Sequence, residues 1–329
     1  MEKIIMLTYC ATALVLAGCG DNTQQNAPAG SNKPAATGLT NEVVLITKLT
    51  NTVFWKSVLA GAQAAGKETG YTIVWEGPNR ETNIEAQIRM VDEAIDRGYA
   101  GVVLAPVDRA GMVSSVNKLS ELGIPCVIVD SGVETLNFVS FVSTYNSLSG
   151  ELAARRMGKI LNGKGNVIVV RHLEGSQATV KRVAGFCQTL TNEFPNIKIV
   201  DSQSGQDTAE SAQAATEEML KRNPDVQGLF ACNVDVSLGA LQALQAMKRT
   251  GIKMIAYDPH KALLDGLRSG QVDSIVVQNP YKMGYESVKA LAMHIKGQPV
   301  PKMMDTGVDL VTMDNLTEAK ILRLLGEQQ

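Results

Sequence analysis

Residues 42–75, EVVLITKLTNTVFWKSVLAGAQAAGKETGYTIVW, decide the fold. Val43–Thr47 is a largely apolar run of strand length, which is typical of a strand buried on both faces. Thr50–Thr52 supplies residues that favour the start of a helix, and Gly70 ends the helix-length segment that follows. Tyr71–Trp75 is a second strand-like run. The stretch therefore predicts one β-α-β unit.

The rest of the chain repeats this alternation. Further strands are predicted at Gly101–Leu104, Pro125–Val129, Phe138–Val142, Asn166–Val170, Ile197–Ser202, Gly228–Cys232, Lys253–Tyr257, Val272–Val277 and, near the end, Val308–Thr312. Helix-length amphipathic segments separate most of them. Strict β-α alternation favours doubly wound parallel sheets, and two rounds of it predict two similar α/β domains.

Composition limits the possible functions. With 329 residues, a net charge of −2 and 3 histidines, the chain shows no basic field for nucleic acid and little material for a histidine-based site. The phosphate-loop, dinucleotide and nucleophile-elbow motifs are absent from the sequence. His172 follows a strand and is interpreted as a hydrogen-bonded structural group. No cofactor, no metal and no enzymatic activity are therefore predicted.

The N-terminus predicts export. Residues 1–18 combine an early lysine with a short apolar run, as in a signal peptide, and end in Leu16-Ala17-Gly18 before Cys19. This ending resembles the bacterial lipoprotein box, which implies lipid attachment at Cys19; the alternative is an ordinary secretory signal with a chance cysteine. Residues 19–41 lack a core-forming pattern and predict a disordered tether with a reach of roughly 25 Å.

The remaining cysteines have structural contexts. Cys126 and Cys232 lie in predicted strands, Cys187 lies in a predicted helix, and their spacing matches no metal motif. Small buried thiols are expected, and a disulfide is left open.

Polar and aromatic residues follow the predicted strands, where open parallel sheets bind ligands. The candidate ligand-binding residues are Asn51, Thr52, Phe54, Trp55, Asp130, Arg182, Gln206, Asn233, Asp258 and Gln278. Carboxylates and amides suit hydroxyl groups, and aromatic faces pack on the C–H faces of sugar rings. Each residue alone also has a structural interpretation: helix caps for Asn51, Thr52 and Asn233, a turn for Asp130, and a surface charge for Arg182.

Several stretches together resemble the type I solute-binding proteins of the ribose-binding class. They are Thr50–Trp55 with Gly61-Ala62-Gln63, Gly123-Ile124-Pro125 leading into Asp130, Arg182 with Gly185-Phe186, Asn223-Pro224-Asp225-Val226, Asn233 with Leu238-Gly239-Ala240-Leu241, Tyr257-Asp258, and Val277-Gln278-Asn279-Pro280. The resemblance covers nearly all of the chain beyond Glu42. It implies two doubly wound parallel-sheet lobes joined by a three-segment hinge.

The resemblance also implies roles for residues. Phe54 and Trp55 would hold a sugar from the first lobe, Asp130 would accept bonds from hydroxyls, and the opposite wall would come from Arg182, Asn233, Asp258 and Gln278. The chain departs from the family pattern at Gln206, where a second aromatic is usual, at Ser131, where an arginine is usual, and in the hinge sequence Thr144-Tyr145-Asn146. These departures favour a pentose, hexose, sugar alcohol or related polyol other than ribose.

The implied lobes are residues 42–145 with 279–306, and 146–278 with 307–329. The resemblance implies a protein that delivers a small carbohydrate or polyol to an ABC transporter permease. Together with the lipoprotein box, it predicts a lipid-anchored location on the periplasmic side or outer face of the membrane, and a monomer is expected. The alternatives are a sensory receptor that presents a bound ligand to a membrane kinase or chemoreceptor, a transcription regulator, and a glycosidase that uses Asp130 and Asp258. Nucleic-acid binding is not expected.

Overall fold

The computed structural model describes residues 40–325, and the first half of this range builds a parallel sheet with its helices. The elements in chain order are β1 (Glu42–Ile46), α1 (Val53–Thr69), β2 (Thr72–Glu76), α2 (Ile84–Asp96), β3 (Gly101–Leu104), α3 (Val113–Glu121), β4 (Cys126–Val129) and β5 (Ser140–Ser143). The predicted signal peptide and tether lie outside the described residues.

A second round of elements follows. It comprises α4 (Asn146–Ile160), β6 (Lys164–Arg171), α5 (Gln177–Glu193), β7 (Asn196–Ser204), α6 (Ala209–Arg222), β8 (Gly228–Ala231), α7 (Val234–Ala246), β9 (Lys253–Tyr257), α8 (Lys261–Ser269) and β10 (Ser274–Gln278). The chain ends with α9 (Pro280–Ile295), β11 (Met303–Asp305), β12 (Val308–Val311) and α10 (Ala319–Leu325). The predicted β-α alternation is confirmed, with strand ends displaced by a few residues.

The strands form two six-stranded sheets of matching order, β11-β5-β4-β3-β1-β2 and β12-β10-β9-β8-β6-β7. We call the parts built on them the first and second lobe. In the first sheet, alternate residues of β1 face different cores: Val43 and Leu45 pack with α1 and α9, whereas Val44 and Ile46 pack with α2 and α3. Each face of the sheet is therefore covered by helices, as in a doubly wound fold.

Two features depart from the expected pattern. The edge strand β11 was not predicted, because its three residues, Met303–Asp305, carry no buried apolar run. The last strand, β12, pairs antiparallel with β10, whereas all other strand pairs are parallel in the described part of the chain. The chain leaves β11 at the carboxyl edge of the first sheet and enters the second sheet through its carboxyl edge, so β12 runs opposite to its neighbour.

Glycines let paired helices cross closely in each lobe. A Cβ atom at Gly284 in α9 would lie 1.9 Å from the carbonyl oxygen of Val58 in α1, and one at Gly150 in α4 would lie 2.0 Å from the carbonyl oxygen of Arg182 in α5. Real Cβ atoms do not approach this closely, so both crossings require glycine. The crossings fix the helices that carry the aromatic residues at the start of α1 and the arginine of α5.

The chain passes between the lobes at residues 144–145, 279 and 306–307. These passages are the segments of the hinge.

The three cysteines of the described residues, Cys126, Cys187 and Cys232, are free thiols, and burial raises the pKa of Cys126 to about 12. Over residues 40–325, no helix combines the length and the apolar character that a membrane span needs.

Candidate functional site

A cavity lies where the carboxyl ends of the two sheets meet. The first lobe contributes Lys48, Leu49, Thr52, Phe54, Trp55, Glu81 and Asp130. The second lobe contributes His172, Ser176, Ala178, Thr179, Arg182, Asn233, Val234, Asp235, Asp258 and Gln278. The lining is therefore mainly polar, with one aromatic pair.

The aromatic pair is held by the start of α1. The Trp55 amide donates to the Thr52 hydroxyl at 3.4 Å, so Thr52 caps the helix, as its structural interpretation required. Phe54 and Trp55 pack edge to face, with ring centroids 4.9 Å apart. Trp55 is buried in the core of the first lobe. The two rings thus offer a rigid apolar wall rather than a mobile flap.

Two aspartates occupy matching positions in the two sheets. Asp130 follows β4 and Asp258 follows β9, and both adopt the left-handed conformation, with φ angles of 62° and 60°. The Asp130 amide donates to the Val142 carbonyl at 3.0 Å, and the Asp258 amide donates to the Val276 carbonyl at 2.8 Å. Non-glycine residues in this conformation are uncommon and cluster at functional sites. The shared geometry aims one carboxylate from each lobe into the cavity.

Arg182 connects the wall of the cavity to the hinge. Its guanidinium donates to the Asn146 amide oxygen at 2.8 Å, to the Cys232 carbonyl at 3.1 Å and to the Gln278 amide oxygen at 2.9 Å. It also lies 3.9 Å from the centroid of the Tyr257 ring. Gln278 in turn donates to both oxygens of Asp258, at 3.1 and 3.0 Å. Arg182 is therefore a buried structural cation as well as a residue of the lining.

Lys48 is the cation of the first lobe in the cavity. Its Nζ lies 3.6 Å from Asp130 Oδ2 and 3.8 Å from Glu81 Oε2. The same atom donates to the Ser176 hydroxyl of the second lobe at 3.0 Å. Lys48 therefore balances two carboxylates and bridges the lobes.

Further contacts join the lobes. Arg80 donates to both carboxylate oxygens of Asp207, at 3.2 and 2.6 Å. The Ala178 amide at the start of α5 donates to the Ser131 hydroxyl at 3.3 Å. Ser131 thus has a role at the lobe interface in the position where the family pattern places an arginine.

Burial shifts several acid–base equilibria. Burial raises the pKa of Asp258 to about 6, and Arg182 and the Gln278 hydrogen bond oppose this shift. Burial, together with neighbouring carboxylates of which Glu81 contributes most, raises the pKa of Asp235 to about 6. Burial and the charge of Lys48 lower the pKa of His172 to about 3, so its imidazole is neutral.

Most of the sequence-predicted site residues come together. Thr52, Phe54, Trp55, Asp130, Arg182, Asn233, Asp258 and Gln278 all line the cavity. Asn51 and Gln206 are exposed and do not line it. Asn51 precedes the helix cap and faces solvent, and Gln206 turns back in a left-handed conformation so that its amide donates to Ser204. Asn233 also caps α7 by accepting from the Val236 amide at 3.0 Å.

Sequence reasoning missed several lining residues. Lys48 lies two residues after β1 and Asp235 lies in the first turn of α7, shortly after β8, so their positions carried a usable signal. Glu81 lies in an irregular loop that no pattern singles out. His172 was interpreted as hydrogen-bonded, and this was wrong: within residues 40–325 neither ring nitrogen has a hydrogen-bond partner.

The chemistry of the lining suits a polyhydroxylated molecule. Carboxylates accept hydrogen bonds from hydroxyl groups, lysine and arginine donate, and the amides of Asn233 and Gln278 do both. In the described part of the chain, no cluster of three or more histidine, cysteine or acidic residues is arranged to hold a metal ion.

Two α/β lobes that enclose such a cavity between facing strand ends define a two-lobed solute-binding protein. Residues 43–299 match the family described as periplasmic binding protein domain, and the chain belongs to this family. The resemblance to the ribose-binding class is thereby confirmed, and the family works outside the cytoplasm.

Relatives share this architecture. The chain is 27% identical over 321 residues to a D-ribose/D-allose-binding protein of Pseudomonas aeruginosa. The aligned region covers 94% of this chain and 96% of the relative. A solute-binding protein of Agrobacterium radiobacter in complex with D-arabinose superposes with a TM-score of 0.83, at 29% identity, over 86% of this chain and 98% of that one. An ABC transporter solute-binding protein of Agrobacterium vitis with bound D-fucose gives a TM-score of 0.82, at 32% identity, over 86% and 99%.

Proposed function

We propose that this chain binds a small carbohydrate or polyol in the cavity between its lobes and delivers it to an ABC-type sugar importer. The observation that carries the proposal is the pair Asp130 and Asp258, which enter one cavity from opposite lobes with the same backbone geometry. A relative named for D-ribose and D-allose, and solute-binding proteins solved with D-arabinose and with D-fucose, support the same ligand class.

The ligand would act by closing the lobes, which we assign to residues 42–145 with 279–306 and 146–278 with 307–329. A sugar that bonds to Asp130 on one side and to Asp258 on the other gains affinity only when the lobes approach. Its binding energy therefore favours the closed form over the open form. A permease that recognises the closed form would receive loaded protein in preference to empty protein. We propose that the chain acts as a monomer in this cycle.

A direct test is a thermal-shift and calorimetric screen of residues 42–329 with D-ribose, D-allose, D-arabinose, D-fucose and xylitol. A ligand that binds only the folded protein raises the melting temperature by mass action. We expect one or more of these compounds to raise it in wild type and not in Asp130→Ala, whereas the exposed Asp265→Ala variant serves as the matched control. Unfolding and refolding beforehand removes ligand acquired from the expression host. A wild-type protein that binds none of them contradicts the proposal.

Delivery to an importer is tested separately. The sugar-loaded protein should co-purify with an ABC permease from its own membranes and should stimulate the ATPase activity of that permease. Co-purification with a sensor kinase or chemoreceptor instead would support the receptor alternative.

We also propose that a lipid on Cys19 anchors the protein to the cell-envelope membrane, based on Leu16-Ala17-Gly18-Cys19 at the end of the apolar run. Cys19→Ala is expected to move the protein from the membrane fraction to the soluble fraction, because a cysteine thiol is needed for the attachment. Cys10→Ala, within the same signal, is the control and should leave the protein in membranes. Membrane retention of the Cys19→Ala variant would refute the anchor.

A further inference from the structure

His172 is a buried polar side chain whose hydrogen bonds are left unmade by the protein. It follows β6, is 3% exposed and lines the cavity. Neither Nδ1 nor Nε2 has a hydrogen-bond partner among the residues the structure describes. Such groups cost free energy when buried, and native proteins retain few of them. Their position in the cavity indicates a partner that binds there.

Glu81 presents a second unmet group from the opposite lobe. Its Oε2 atom is buried, lines the same cavity and lacks a hydrogen bond within residues 40–325. The closest cation is Lys48, whose Nζ lies 3.8 Å away, beyond hydrogen-bond distance, and donates to Ser176 instead. Glu81 thus offers a charged acceptor without a donor.

The charges around His172 fix what it can bind. The cations of Lys48 and Arg182 and the carboxylates of Asp130 and Asp207 act on it, and burial together with Lys48 lowers the pKa of His172. A neutral imidazole carries one N–H donor and one acceptor nitrogen. A hydroxyl group matches this pair, because it both donates and accepts. A carboxylate or phosphate would satisfy only the donor.

We propose that His172 and Glu81 are specificity-determining residues that bind hydroxyl groups of an uncharged ligand from opposite lobes. His172 donates to one ligand oxygen and accepts from a hydroxyl, and Glu81 accepts from another hydroxyl. Carboxyl groups outnumber cations among the described lining residues, so a sugar acid is disfavoured at the same place. This assignment rests on the proposed function and narrows it to neutral ligands whose hydroxyl groups reach both residues.

The test uses the sugar of the screen that binds wild type most tightly, measured by calorimetry. His172→Phe keeps a planar ring and removes both nitrogens, and Glu81→Gln removes the charge. We expect each change to lower the association constant by about 10-fold or more, because hydroxyl groups of the bound sugar lose their partners. His172→Phe should leave the melting temperature without sugar equal or higher, since no protein hydrogen bond is lost. A structural role would lower it.

Three further measurements sharpen the outcome. His294→Phe, at an exposed residue outside the cavity lining, is the matched control and should keep wild-type affinity. Singly deoxygenated analogues of the sugar should include one that binds wild type poorly but binds His172→Phe no worse than the parent sugar does. His172→Asn, which keeps a donor and an acceptor, covers the case in which phenylalanine does not fold.

The two proposals fail differently. If wild type binds no sugar of the screen, the proposed function fails and this inference fails with it. If wild type binds a sugar and the His172 and Glu81 variants keep its affinity within about twofold, the inference is overturned and the function stands. Tighter binding of the corresponding sugar acid than of the neutral sugar would also overturn it.

Discussion

Replacing Arg182 with alanine is expected to lower the free energy of unfolding by about 3–5 kcal/mol, the range for removing one member of a buried charged network. Arg182 is 3% exposed, and its guanidinium donates to Asn146 next to the hinge, to the carbonyl of Cys232 and to the side chain of Gln278. The substitution leaves all these acceptors without their donor. It also removes the cation that offsets the buried carboxylate of Asp258.

Urea unfolding followed by circular dichroism, without sugar, measures this effect. Arg155→Ala is the matched control: Arg155 pairs with Glu193 at the surface, where solvent screens the ion pair and it contributes little to stability. Arg182→Lys should fall between the two, because lysine keeps the charge but cannot donate to all the acceptors at once. A loss below about 1 kcal/mol in Arg182→Ala would show that Arg182 is not a structural residue of the hinge.

The positions of the strands and of their carboxyl ends were predictable because buried parallel strands are short apolar runs bounded by turn residues. Asp130 and Asp258 could be placed at matching edges for this reason alone. The left-handed backbone at both residues was not predictable from the pattern. Aspartate tolerates the left-handed conformation, but the presence of an aspartate does not predict it.

Other features depend on contacts between residues distant in sequence. The sequence left open whether Arg182 is a surface charge or a ligand-binding residue, whereas the structure buries it against Asn146, thirty-six positions away along the chain. Glu81 joins the cavity only because the lobes face each other. Gln206 was predicted to line the cavity and does not. A position after a strand places a residue at the edge of the sheet but does not determine whether its side chain points into the cavity.

Replacing Asp258 with asparagine is expected to weaken sugar binding at pH 7 by about 10- to 100-fold, because hydrogen bonds to a charged acceptor contribute about 1.5–3 kcal/mol. Asparagine is the appropriate replacement because it also tolerates the left-handed conformation that residue 258 adopts, with φ at 60°. The amide keeps an oxygen that can accept from Gln278. The backbone and the wall of the cavity should therefore persist while the charge is lost.

The same substitution should change how stability depends on pH. Burial raises the pKa of Asp258 from 3.8 to about 6, so between these values the folded protein binds a proton more tightly than the unfolded chain does. This contribution to stability is present in full below about 3.8 and is lost as the pH rises through about 6. At roughly 1.4 kcal/mol for each pH unit, the full difference is at most about 3 kcal/mol.

The measurable quantity is the free energy of unfolding of Asp258→Asn minus that of wild type, recorded without sugar from pH 4 to pH 7.5. This difference is expected to rise with pH, since only wild type must hold a charge at this buried position. Other groups titrate in both proteins, and their effects cancel in the subtraction. Asp265→Asn is the control: its carboxylate is exposed and hydrogen bonding to Lys261 lowers its pKa, so its difference should not rise. A flat difference for Asp258→Asn, combined with full loss of binding, would mean that Arg182 and Gln278 compensate the charge completely. The buried charge of Asp258 would then not lower the free energy of unfolding.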